Sequence, residues 1–109
     1  MLFLVTADVR ETSNVPQERL LGMLASTWEV IKQLETDGKV VVGGAFVGRR
    51  GGCVVADVDS HEELSDMLNR LPVSALLDWE AIPMIPAQSA LDSAKWAMKQ
   101  RAEQQRVAT

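Results

Sequence analysis

Apolar residues along this chain recur with two periods, and the switches between them mark out the elements. Over residues 2–9, Phe3, Val5, Ala7 and Val9 alternate with Leu2, Leu4, Thr6 and Asp8, the period of a strand with one wholly apolar face. Over residues 16–37 the period lengthens. Leu20, Leu24, Ile31 and Leu34, widened by Leu21, Trp28 and Val30, make the dry face of a helix, and Glu18, Arg19, Lys32 and Glu35 make its wet face. Ser13 and Asn14 offer caps ahead of Pro16, whose missing N–H suits a first turn, and Gly38 supplies a left-handed exit.

Residues 39–58 read as a hairpin. Two runs rich in Val and Ala flank a Gly-Arg-Arg-Gly-Gly turn at 48–52, and the paired Gly43 and Gly44 mark a bulge or a close backbone approach. Ser60 and Glu63 form a capping box for a second helix, whose stripe is Leu64, Met67, Leu68 and Leu71 and whose stop is Pro72. A last strand lies within residues 76–85. There Leu77, Trp79 and Ala81 alternate with Asp78, Glu80 and Ile82, and Pro83 and Pro86 limit pairing. From Gln88 onward the composition favours a helix whose apolar face is thin.

The order β-α-β-β-α-β with a C-terminal helix is α+β, the ferredoxin-like split β-α-β arrangement. It predicts one domain over residues 1–87. Residues 88–109 then form a helical extension docked on that domain or on a neighbouring subunit. Helices cover one face of such a sheet, and the Val-rich strands predict an apolar second face. A second copy covering it, a dimeric α+β barrel, is the expected solution.

Composition narrows the function classes. The 109 residues are 47% hydrophobic and 24% charged with a formal net charge of −4, so the chain folds around a core and lacks the basic face that phosphate backbones require. No nucleic-acid partner is expected. The apolar start meets Asp8 and Arg10 without a basic leader, and no run reaches the ~18 apolar residues of a membrane span; a cytoplasmic protein with no membrane partner is predicted. Cys53 is the only cysteine and His61 the only histidine, so a metal site built on them is not expected; Cys53 reads as a buried thiol and His61 as solvent-exposed.

Met1-Leu2-Phe3-x-Val5, Glu29 and Leu34 before Gly38, Gly48, Asp57-Val58, Leu64, Leu71-Pro72 and Asp78-x-Glu80 together resemble the muconolactone delta-isomerase family over roughly residues 1–90. The resemblance implies a dimeric α+β barrel assembled into a larger ring of dimers. It also implies isomerisation of an unsaturated lactone by proton transfer, without metal or organic cofactor. Such chemistry needs a positioned acid or base and a cationic or hydrogen-bonding group for the carboxylate and enolate. Leu4 stands where the family typically carries a histidine, Thr27 at an acidic position, and Arg49 at a polar position beside Gly48.

The candidate catalytic group is Asp78, which shares a strand face with Glu80, an arrangement of carboxylates suited to proton transfer. The candidate substrate-binding residues are Leu4, Thr6, Thr27, Trp28 and Arg49. Arg50 reads as a solvated turn residue. Trp28, Trp79 and Trp96 suit either core packing or a pocket for a ring. The expected function is isomerase-like turnover of a small lactone or ring-shaped carboxylic acid in aromatic-compound catabolism. The alternative is an oligomeric small-molecule-binding protein without acid-base groups.

Overall fold

A computed structural model of the chain describes residues 1–10 and 14–108. Its elements are β1 (Leu2–Val9), α1 (Gln17–Thr36), β2 (Val40–Ala45), β3 (Gly51–Asp57), α2 (His61–Asn69), a 3₁₀ turn (Ser74–Leu76), β4 (Leu77–Met84) and α3 (Ala87–Ala108). The strands form one antiparallel sheet in the order β2-β3-β1-β4.

The expected closed barrel is not formed. β2 and β4 are the two edges of an open sheet and do not pair with each other. Four strands are also about half of the eight or so that a side-chain-filled barrel needs. The second face is not wholly apolar either. Opposite residues across the ladders place Val42, Val55, Leu4 and Ile82 in one row on it, and the neighbouring rows bring Thr6, Asp8, Asp57, Asp78 and Glu80 to the same face. Val-rich strands marked strong strand formers; they did not mark two dry faces.

The other face of the sheet carries the core. Phe3, Val5 and Ala7 of β1 and Val54 and Ala56 of β3 are buried against the helices, with Leu20 and Ile31 from α1 and Leu64 and Met67 from α2. Pro83 is tolerated because β4 is an edge strand, where one row of N–H groups faces away from the ladder.

Helix ends follow local chemistry. Pro16 is itself the N-cap of α1 and no side chain caps it, so Asn14 does not take the predicted role; Ser13 lies outside the described residues. At the other end Gly38 has φ 80°. The Lys39 N–H donates to the Leu34 carbonyl at 2.9 Å and the Gly38 N–H to that of Glu35 at 3.2 Å, the double closure that a left-handed C-terminal residue permits. The irregularity in β2 lies between Val40 and Val42, while Gly43 is the close approach, since a Cβ there would meet Val54 Cγ1 at 2.9 Å.

At α2 the Glu63 N–H donates to Ser60 Oγ at 3.0 Å, as the capping box predicts. The return bond differs by one residue, because the Asp59 N–H, not that of Ser60, donates to Glu63 Oε2 at 2.9 Å. Glu63 Oε1 meanwhile pairs with Lys39 Nζ at 2.6 Å, which ties the start of α2 to the segment between α1 and β2.

α3 lies outside this body. Leu91, Trp96 and Met98 are exposed along it, and the molecule measures 70 × 29 × 24 Å. Among the described residues no helix is long and apolar enough to cross a membrane.

The Lys39–Glu63 pair makes stability depend on pH. The hydrogen bond from Lys39, then that from the Asp59 N–H, holds the Glu63 carboxyl below its ordinary value, and the bond to Glu63 raises Lys39. A depressed carboxyl pKa contributes stability that is present above the unfolded value and lost as pH falls through the folded one. A raised amine pKa contributes stability that is lost as pH rises through its folded value. Urea denaturation of the wild type and Glu63→Gln should therefore differ most near neutral pH and converge in acid. Both side chains are only partly buried, so added salt should narrow the gap.

Candidate functional site

Between α1 and the sheet lies a cavity of about 210 Å³, far more room than a single water needs. Its floor is the helix-side face of the sheet, with Val5, Ala7, Gly52 and Val54. Its roof is α1, with Leu24, Thr27, Trp28 and Ile31, and Trp79 of β4 and Met67 of α2 close its sides. Phe46, Arg49 and Arg50 from the hairpin turn form the solvent-facing rim. The cavity divides the packing. One buried cluster centres on Phe3, Val5, Val54 and Ala56, a second on Ala7, Leu20, Val73 and Leu77, and Trp79 packs against both.

Gly52 gives the cavity its shape. A Cβ there would approach the Gly44 carbonyl oxygen at 2.6 Å and Trp28 Cη2 at 2.9 Å, so the missing side chain lets the Trp28 ring lie on the strand. Helical spacing predicts that Trp28 faces inward but says nothing of the glycine it rests on.

Thr27 is 4% exposed. Its hydroxyl donates to the Met23 carbonyl at 2.8 Å and accepts the Val73 N–H at 3.2 Å, joining α1 to the segment ahead of the 3₁₀ turn. Its first task here is to satisfy backbone.

Arg49 Nε and Nη2 meet the two carboxylate oxygens of Asp8 at 3.0 and 3.1 Å, and its Cζ sits 4.5 Å from the centre of the Phe46 ring. This is a side-on bidentate pair with the guanidinium face stacked on an aromatic. Gly51 makes room for it, because a Cβ at Gly51 would meet the Ala7 carbonyl oxygen and lie 2.9 Å from Asp8 Oδ1.

Six sequence-predicted site residues thus divide into two groups. Thr27, Trp28 and Arg49 line the cavity. Leu4, Thr6 and Asp78 lie on the opposite face of the sheet, in register with Val55, Cys53 and Asp8 respectively. Asp78 is 69% exposed and pairs with Arg10 Nε at 3.1 Å, so the sheet separates its carboxylate from the cavity. Cys53 is half-buried rather than buried because it shares the open face with Thr6. Exposed His61 meets Phe3 edge-on at 5.5 Å between ring centres, and Trp96 lies on α3 away from the cavity. Among the described residues no group of three His, Cys, Asp or Glu side chains is placed to hold a metal ion.

Sequence patterning does not point to Asp8 as a partner for Arg49 or to Gly51 and Gly52 as spacers, and it makes Arg50 a solvated turn residue. One signal was present: counting back in steps of two from core-facing Val54 reaches Gly52 and then Arg50.

An α+β sheet with an apolar, ligand-sized cavity and guanidinium groups at its rim is the class that these features define. The sequence profile of muconolactone delta-isomerase matches residues 1–90, and the chain belongs to that family. A crystal structure of muconolactone isomerase superposes with a TM-score of 0.71 at 26% identity, covering 79% of this chain and 90% of the other. The fold is also similar to that of 5-chloro-2-hydroxyhydroquinone dehydrochlorinase from Burkholderia phenoliruptrix AC1100, in complex with 2,5-dihydroxybenzoquinone. There the TM-score is 0.63 at 20% identity, over 82% of this chain and 98% of the other. Among curated proteins none matches this sequence.

Replacing Thr27 tests its structural role. Thr27→Val keeps the side-chain shape but leaves the buried Val73 N–H without an acceptor, so chemical denaturation should show a loss of roughly 1–3 kcal/mol. Thr27→Ser retains the hydroxyl and should lose less.

Proposed function

We propose that the cavity binds a small, largely apolar carboxylic acid, a lactone or a ring-shaped acid. As in the family to which the chain belongs, the protein would isomerise that acid by cofactor-independent proton transfer. One observation carries the ligand class: the cavity wall is apolar and aromatic, while its rim presents guanidinium groups. A ring would lie against Trp28 and Trp79, and its carboxylate would point to the rim. In the reaction, a proton leaves one carbon and another is delivered further along as the double bond shifts, and a cationic group stabilises the enolate between the two steps.

A second reading is favoured by a separate observation. Among the described lining residues the Cys53 thiol and the Arg49 and Arg50 guanidiniums are the ionisable groups, with no carboxylate, imidazole, ammonium or phenol, which suits a binding protein that does not turn its ligand over. Incubation with muconolactone, followed by ultraviolet absorbance of the isomerised enol-lactone and by calorimetry, separates the two. Absorbance change with binding heat supports the isomerase; heat without absorbance change supports binding alone; neither signal overturns both readings. Trp28→Ala should weaken binding roughly tenfold.

Self-association belongs to the same proposal. Val42 on the open face is 57% exposed, and Trp96 and Met98 on α3 are 65% and 72% exposed. Burying such side chains against a second copy would remove apolar area from water, with α3 docking on the neighbouring subunit. Light scattering of the full chain at micromolar concentration should give a mass above 12.0 kDa. A folded particle of 12.0 kDa would overturn this part.

A further inference from the structure

We propose that Arg50, not Arg49, receives the ligand's carboxylate, and that Asp8 sets the charge the site accepts by occupying Arg49. This rests on the reading that the cavity takes a small apolar acid.

The pleat carries the first step. Val54 and Gly52 lie opposite Val5 and Ala7 on the cavity side of the sheet, while Gly51 lies opposite Asp8 on the other side. One residue further, the Val9 N–H donates to the Arg50 carbonyl at 3.1 Å. Val9 belongs to the cavity-side row with Val5 and Ala7, so Arg50 continues that row and its backbone is anchored there. Arg49 stands at the rim, and its guanidinium is turned to Asp8 at the edge of the sheet.

Chemistry carries the second. Two of the five N–H groups of Arg49 already meet both oxygens of Asp8, and one of its faces lies over Phe46. An incoming carboxylate would compete with a carboxylate held by the chain itself and be repelled by it. Arg50 also lines the cavity, and among the described residues no acidic side chain pairs with it. With Arg49 neutralised, the rim has one uncompensated positive charge among the described residues, which suits a monocarboxylate and disfavours a dicarboxylate.

Calorimetry with muconolactone, its methyl ester and the dicarboxylate adipate tests both parts, on folded protein verified by circular dichroism. The wild type should prefer the acid over the ester by roughly tenfold, the scale of one charge-assisted hydrogen bond, and bind adipate more weakly. In Arg50→Gln the acid should fall to the affinity of the ester, with partial recovery in Arg50→Lys. The double variant Asp8→Asn/Arg49→Gln, which removes the pair together, should keep the acid preference. Asp8→Asn, which frees Arg49, should gain adipate binding. Retention of the acid preference in Arg50→Gln, or its loss in the double variant Asp8→Asn/Arg49→Gln, would overturn the assignment of Arg50. Unchanged adipate binding in Asp8→Asn would overturn the role of Asp8. If the wild type binds neither acid nor ester, the cavity reading itself fails and the assignment goes with it.

Discussion

β1 is hydrogen-bonded along both of its edges, to β3 on one side and to β4 on the other. Because side chains of a strand alternate strictly, this double pairing assigns every residue of the neighbouring strands to one of two environments. Phe3, Val5 and Ala7 go to the core, and Leu4, Thr6 and Asp8 go to the open face. A slip of one residue would exchange the two sets. It would bury Asp8 and expose Phe3, a cost that no surface contact in the molecule offsets.

The cavity depends on that register and on two small residues. Core packing in proteins ordinarily leaves few voids larger than a water molecule, yet here the buried residues form two clusters with Trp79 between them. Gly52 and Ala7 are opposite one another beneath α1, so the floor is low where larger residues would have filled the space. Trp28 partly occupies it from above and forms a wall.

Helical and strand periods placed most elements within a residue or two, because each rests on a face that repeats. The left-handed exit at Gly38 and the cap at Ser60 were legible for a related reason, each being one residue type with one local duty. Thr27 and Trp28 came to the cavity since they sit on the inward side of a long, well-defined helix. The open sheet was not legible. Val40, Val41 and Val42 look alike in sequence, and a one-residue irregularity decides that Val40 is buried while Val41 and Val42 are exposed. The partner of Arg49 was not legible for a comparable reason, since Asp8 lies 41 residues away in the chain and is brought to it only by the pairing of β1 with β3. The acid predicted at Asp78 shares a strand with a cavity residue, Trp79, but adjacent strand residues face opposite ways.

The irregularity at the start of β2 and Pro83 in β4 sit on the two edge strands of the sheet. A bulge twists one edge away from straight pairing, and a proline places its ring where a donor would be needed on the other. Both borders are thus poor templates for adding a further strand, so the sheet does not invite end-over-end continuation into fibrils. Contacts with other molecules are directed to its faces and to α3.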